Sequence, residues 1–450
     1  MSATEYQKAL MSTPAVLPFS EPPYLCGFPS PYHKESHRRF QKAARSWIDE
    51  NITKHALEWE REESVPEDLY SRWVAAGFLP GTMPAPLPVD WLKRLGIHEM
   101  PGGVKVEEWD YFHSAIFADE MIRCGLAGPP GALTVGVSYG LPPIFKFGSK
   151  ELQERVVPEI VLGKKRICIA ITEPDAGSDV ANITTTATKT PDGKHYIVNG
   201  QKKWITNGVW SDYATMAVRT GAEGAAGLSL LLVPLKGHPG VEMRRLKVGG
   251  QISAGTTFID MDDVKVPVEN LIGQEGKGMT YIMTNFNHER MSICMGVIRQ
   301  CRVALSSAFE YVMKREAFGK TLMDNAVVRH RLAGAGAQLE SYSAWIDLLT
   351  YQSINMTKAE ADIKLGGAVA MAKALGGRIF DEVASVSILL FGGNGYTRSG
   401  QGELVEKIYR EVPGMRIPGG SEDVLLDLGI RQLVKIFQLQ TQLLGTKSNL

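Results

Sequence analysis

The chain has 450 residues, 44 % hydrophobic and 22 % charged, with 49 basic and 49 acidic side chains and no net charge. That length calls for two or three domains rather than one core. The charge balance excludes a general binder of nucleic acid or anionic membrane, which needs a basic excess, and no apolar run reaches the roughly 18 residues of a membrane helix. The five cysteines (Cys26, Cys124, Cys168, Cys294 and Cys301) are scattered, with no CxxC pair, as in a reducing compartment. The nine histidines show no HExxH or similar spacing, so no metal is expected.

Residues 1–32 are proline-rich and unpatterned, an arm or lid rather than a domain. Glu5 and Glu21 make the beginning unlike a secretory signal or an acid-free transit peptide. The last residues, Ser448, Asn449 and Leu450, are a weak relative of the peroxisomal SKL address, so a cytoplasmic location is expected. Helical spacing begins near Tyr32, with Phe40, Ala43, Ala44, Trp47 and Ile48 on one face. Pro66 starts a second helix over 69–76. Five prolines in 77–104 predict a long loop, functional or mobile. Helices are predicted again over 106–124, 133–147 and 150–162, with Pro129, Pro130 and Gly131 as an interruption. Residues 33–166 therefore read as an α domain.

The period then changes. Short β-forming runs at 213–218, 228–233, 241–246 and 256–261, separated by Gly and Asp, predict a compact antiparallel barrel or sandwich over 167–277. From 278 to 450 the 3.6 period returns. Long helices at 285–316, 325–356, 358–390 and 421–443 predict an up-and-down four-helix bundle.

Two polar turns lie in the β region. A strand at 167–171 runs into Thr172, Glu173, Pro174, Asp175, Ala176, Gly177, Ser178 and Asp179. Pro174 and Gly177 force a turn, Gly177 admits a ligand close to the backbone, and Thr172 and Ser178 bring hydroxyls. About thirty residues on, Trp204, Ile205, Thr206, Asn207 and Gly208 put an aromatic ring and a hydroxyl at a hairpin end. In this order and spacing the two resemble the flavin-binding middle domain of the acyl-CoA dehydrogenase family. Three later segments resemble that family too: Arg315, Glu316, Ala317, Phe318 and Gly319; Gly392, Gly393, Asn394 and Gly395; and Ile417, Pro418, Gly419, Gly420, Ser421 and Glu422.

The resemblance implies FAD as cofactor. Ile169, Ile171, Thr172, Gly177, Ser178, Trp204 and Thr206 would line its ring and ribityl parts. Arg315, Phe318 and Gly393 would come from a neighbouring subunit to the pyrophosphate and adenosine, which implies a homodimer or the family's usual homotetramer. Ser421 stands where a threonine is common and Leu389 where a glutamine often binds FAD. The implied reaction is α,β-dehydrogenation of an acyl-CoA thioester: a carboxylate takes the α-proton while the β-hydride passes to flavin N5. The electron acceptor would be an electron-transfer flavoprotein or, for an oxidase, O2.

The family's common base position is Gly419 here. Either the chemistry is lost or another carboxylate has moved in. Glu289, followed by Arg290, stands where isovaleryl- and long-chain-type members carry their catalytic glutamate. The resemblance therefore implies Glu289 as base, the Gly419 N–H as donor to the enolate oxygen beside a ribityl hydroxyl, and Arg290 as organiser. Pro418 and Asn287 replace a common tyrosine and aspartate. Glu422 and Asp423 are fallback carboxylates or helix caps, and His288 reads as structural. An alternative is an oxidase, monooxygenase or desaturase of the same fold acting on an amine, a nitro compound or a carrier-bound group.

Overall fold

A computed structural model describes residues 16–284 and 286–447. The tail at 448–450 and the first 15 residues of the predicted arm lie outside the described residues. The rest of that arm is no loose lid. Tyr24 is buried, and Glu21 accepts hydrogen bonds from Arg45, Arg123 and Arg299. Arg299 also donates to the Ser20 carbonyl at 2.7 Å. Three guanidiniums around one carboxylate tie the segment to both helical regions.

The N-terminal region contains helices α1 (Glu35–Ile48), α2 (Tyr111–Met121), α3 (Gly128–Gly140) and α4 (Lys150–Val161). Residues 77–104, predicted as a loop, instead supply core. Phe78, Leu79, Met83, Leu87, Leu92 and Met100 are buried, in a chain that includes a short helix at Val89–Arg94 and a hairpin pairing Glu99–Met100 with Val104–Lys105. The prolines bend this chain, and the apolar residues between them pin it. Pro129 and Pro130 do not interrupt a helix either. They occupy the first turn of α3, where a missing N–H costs nothing.

The middle region is one eight-stranded sheet, mainly antiparallel. Its strands are β1 (Ile167–Ala170), β2 (Thr186–Lys189), β3 (His195–Ile205), β4 (Tyr213–Arg219), β5 (Leu228–Pro234), β6 (Val241–Arg245), β7 (Thr257–Pro267) and β8 (Leu271–Ile272). The order is β8-β5-β4-β2-β3-β7-β6, with β1 beside β4. Of the two forms expected, barrel or sandwich, no closed barrel is found: the path does not close among the described residues, and β1 and β2 both pair with β4 in parallel. Two register shifts between β3 and β7, at Val198/Gly200 and Lys202/Ile205, bend the long strand.

The C-terminal region packs α5 (Phe286–Lys314), α6 (Ala326–Ile354), α7 (Gly366–Phe391) and α9 (Glu422–Lys447). On α5, Met291, Cys294, Met295, Cys301, Ala304, Leu305, Ala308 and Val312 recur at helical spacing on the buried face. Two details differ from expectation. The third predicted helix breaks at Leu365, leaving a short helix at Lys358–Lys364 before α7. A further helix, α8 (Glu403–Arg416), lies between α7 and α9.

Candidate active site

The first wall of the site is the edge where β1 and β3 end. Just beyond β1, Glu173 is buried against Lys202 of β3, Nζ to Oε1 2.8 Å. The same carboxylate accepts from the Thr184 and Thr185 amides at 2.6 and 3.0 Å. Burial pushes the Glu173 carboxyl up, but the Lys202 ammonium and these donors outweigh it and bring it to about 2. Burial lowers Lys202 to about 8. Next to the pair, the Thr172 hydroxyl donates to the Lys203 carbonyl at 2.6 Å, and the Lys203 amide donates back to the Thr172 carbonyl at 3.0 Å. The turn is thus stapled to β3.

The bulge at Lys202/Ile205 turns Trp204 outward, at φ 63° and 48 % exposed. Ile169, Ile171 and Thr206 are half-buried, and Gly177 and Ser178 are exposed. Asn207 fixes the corner. Its Nδ2 donates to the Gly131 and Ala254 carbonyls, both at 3.0 Å, and its Oδ1 accepts from the Gly136 amide at 2.8 Å. A half-exposed indole, with Ser178 and Thr206 hydroxyls that make no hydrogen bond among the described residues, fits a flat ring with polar edges such as a flavin.

Helix α3 carries this wall to the second one. A Cβ on Gly136 would lie 2.1 Å from the Ile167 carbonyl oxygen, so only glycine lets α3 approach β1 this closely. Tyr139 of the same helix feels the charge of Glu289. Burial raises its phenol pKa, and that charge raises it further. Glu289 is half-buried in the first turn of α5.

The next residue, Arg290, is buried, and its Nε donates to the Gly419 carbonyl at 3.0 Å. Burial pulls the guanidinium pKa down while Glu289 pulls it up. Gly419 has φ 70°, a conformation that favours glycine, and an added Cβ would sit 3.1 Å from Ile293 Cδ1. Its N–H has no hydrogen-bond acceptor among the described residues. Ser421 lies two residues on, half-buried, ahead of α9. Glu422 is committed to Arg416 and Arg378, which leaves it a structural rather than a fallback role. His288 packs against Tyr139 with Nε2 enclosed and unpartnered, and burial lowers its pKa to about 4, so the ring is neutral.

The structure thus gathers Glu289, Arg290, Gly419 and Ser421 in one place, and Thr172, Trp204 and Thr206 along one edge. Arg315, Phe318 and Gly393 are elsewhere. Helix α5 has 29 residues, so its ends stand about 40 Å apart at 1.5 Å per residue. At the far end Arg315 lines a groove of about 620 Å³ with Tyr311 and Phe391. Phe318 there is 96 % exposed, and Leu389 is also exposed.

Among the described residues, His37, Asp110 and His113 are the one group whose metal-ligating atoms lie within 4.8 Å of one another. Asp110 Oδ1 already takes His37 Nε2 at 2.9 Å and the Phe112 and His113 amides, so the group works as the cap of α2.

The sequence placed Asn207 and Glu173 in the two polar turns but not the corner that Asn207 ties or the pairing of Glu173 with Lys202, and it did not single out Tyr139 or Lys373. Lys373 had a signal: it falls on the α7 face of Val369, Ala370, Gly376, Gly377 and Phe380, all buried.

This architecture and site define a three-domain flavin-dependent oxidoreductase. The chain matches, in succession, the N-terminal, middle and C-terminal domains of acyl-CoA dehydrogenases, over residues 34–164, 168–264 and 276–434. It is 66 % identical to acyl-CoA dehydrogenase apdG of Emericella nidulans, over 95 % of this chain and 98 % of that one. Acyl-CoA dehydrogenase AFT10-1 of Alternaria alternata is 36 % identical, over 93 % and 96 %. The crystal structure of acyl-CoA dehydrogenase from Geobacillus kaustophilus superposes with a TM-score of 0.78 at 29 % identity, covering 90 % of this chain and all of that one. The chain belongs to the acyl-CoA dehydrogenase family, and its cofactor is FAD.

Proposed function

We propose that the protein dehydrogenates an acyl-CoA thioester across its α and β carbons, with Glu289 as the base that takes the α-proton. One observation carries this reading. Gly419, at the family's usual base position, is a bare glycine with an unused N–H, bonded through its carbonyl to the residue that follows Glu289. An α-C–H is a weak acid, so its removal needs a shielded base and a donor to the thioester oxygen as that oxygen gains charge. Glu289 supplies the first and the Gly419 N–H the second. Arg290 holds the two segments in register, and its charge favours an anion nearby. Tyr139 of α3, near enough to feel the Glu289 charge, helps to screen the half-buried base from bulk water. Bound FAD supplies the hydride acceptor.

Thr172, Ser178, Trp204 and Thr206 form the ring-binding wall, with Ile169, Ile171 and Gly177 behind and beside it. Arg315, Phe318 and Gly393 serve the site of a neighbouring subunit, because they stand at the wrong end of α5 to reach their own. The active form is then at least a homodimer. An electron-transfer flavoprotein is the proposed acceptor.

The test is Glu289→Gln. The variant keeps FAD, while anaerobic bleaching by its best acyl-CoA slows by about three orders of magnitude, within the usual range for a lost general base. Bleaching at the wild-type rate would remove Glu289 from the mechanism.

A further inference from the structure

The segment from Arg416 to Gly420 is held by two buried cations. Lys373 of α7 is 2 % exposed. Its Nζ donates to the Arg416 carbonyl at 2.6 Å and to the Gly420 carbonyl at 2.7 Å. Arg290 takes the carbonyl between them, that of Gly419, at 3.0 Å. No carboxylate lies within ion-pair distance of Lys373 among the described residues. Burying an ammonium without a counter-ion is costly, and a methionine would fill the same space at lower cost. Nor is the lysine needed to anchor the ends of the segment. Arg416 already pairs with Asp381 and Glu422, and Arg378 with Glu422. What Lys373 adds is direction. With the Arg416, Gly419 and Gly420 carbonyls held by Lys373 and Arg290, the Gly419 N–H is left without an acceptor among the described residues.

We propose that Lys373 is a positioning residue for the oxyanion donor: by gripping the carbonyls on either side of Gly419, it aims the Gly419 N–H at the thioester oxygen and keeps positive charge behind the enolate. This rests on the acyl-CoA reading above but not on which residue is the base.

The test uses holoenzyme and a 3-oxoacyl-CoA. The enolate of this ligand gives a long-wavelength charge-transfer band with oxidised flavin, so a pH titration of the band reads donor strength at equilibrium. Lys373→Met is expected to keep FAD, to leave KM within about threefold, and to lower kcat about a hundredfold, as for loss of one oxyanion donor. The pH midpoint of the band should rise by about two units, the same hundredfold at one unit per tenfold. Lys373→Gln, which keeps amide donors without the charge, should fall between Met and wild type. If Met does not fold, Gln carries the test against wild type alone. A wild-type midpoint in whichever of these variants folds overturns the proposal. A raised midpoint in Lys373→Met together with full activity in Glu289→Gln would retain Lys373 and reject Glu289 as base. No band in the wild-type enzyme at any pH would reject the acyl-CoA reading itself.

Discussion

The staple under the flavin wall can be tested by Lys202→Met. In the folded chain Glu173 ionises at about 2 rather than the ordinary 4.5, because Lys202 and the Thr184 and Thr185 amides outweigh the effect of its burial. At about 1.36 kcal/mol per unit, that difference favours the fold by about 3 kcal/mol, but the lowering of Lys202 to about 8 by burial sets a cost of similar size against it. The pair is therefore close to neutral as a whole, whereas removing Lys202 alone leaves the Glu173 carboxylate buried and uncompensated, which costs about 3–5 kcal/mol by general experience. The sign follows from the direction of the shift. A depressed carboxylate contributes its full stability above 4.5 and loses it as the pH falls towards about 2. Lys202→Met should therefore be about 3 kcal/mol less stable at pH 7, with the gap closing between pH 4.5 and 2 as Glu173 protonates in the wild type. Urea midpoints across this range, with flavin release and tryptophan fluorescence followed together, measure it. Flavin release should lead in the variant, since the pair anchors the turn beside Trp204. The double variant Glu173→Gln/Lys202→Met, with no charge left unpaired, should recover more than half the loss. A single variant with the wild-type midpoint at pH 7, or a gap that does not change with pH, refutes the reasoning.

Gly419→Ala forces a side chain into φ 70° beside Ile293. It should cost about 1–2 kcal/mol in stability and at least tenfold in kcat while FAD stays bound, read by thermal unfolding and turnover. Arg315→Ala should leave the subunit folded but weaken FAD retention at least tenfold. Mixed with inactive Glu289→Gln subunits it should regain activity, because one site in each hybrid dimer then has both residues; no recovery on mixing would exclude the shared site. Burial and the Glu60 charge raise the carboxyl pKa of Glu411. A raised carboxyl contributes most below its unfolded value near 4.5 and loses that contribution as the pH climbs. Glu411→Gln should therefore melt above the wild type at pH 9 and approach it at pH 4.5.

The parts of the molecule that were legible are those whose chemistry is local. A turn set by Pro174 and Gly177, or an amphipathic run such as α5, announces itself within a few residues. What stayed hidden depends on partners far along the chain. Helix α8 was not read because Glu403, Glu406, Lys407 and Glu411 are buried in it and Pro413 lies within it. Their burial makes sense only beside Arg61, Arg410 and the Ala127 amide, to which Glu403, Glu406 and Glu411 respectively bind. Glu21 read as an acid that spoils a leader, yet it lies between three arginines from α1, α5 and the turn after α2. The parallel pairing of β1 with β4 could not be read either, since a buried apolar run does not specify its neighbour. The active site divides the same way. The exchange of Glu289 for a glycine at 419 is visible as two letters, and so it pointed to a base. Lys373 is one charged letter in an apolar face, and its meaning appears only when three carbonyls from a segment more than forty residues away turn towards it and Arg290. A buried charge that breaks a helical pattern without a nearby opposite charge is thus the place to look next for function, because burial makes it costly and only a distant partner can justify it.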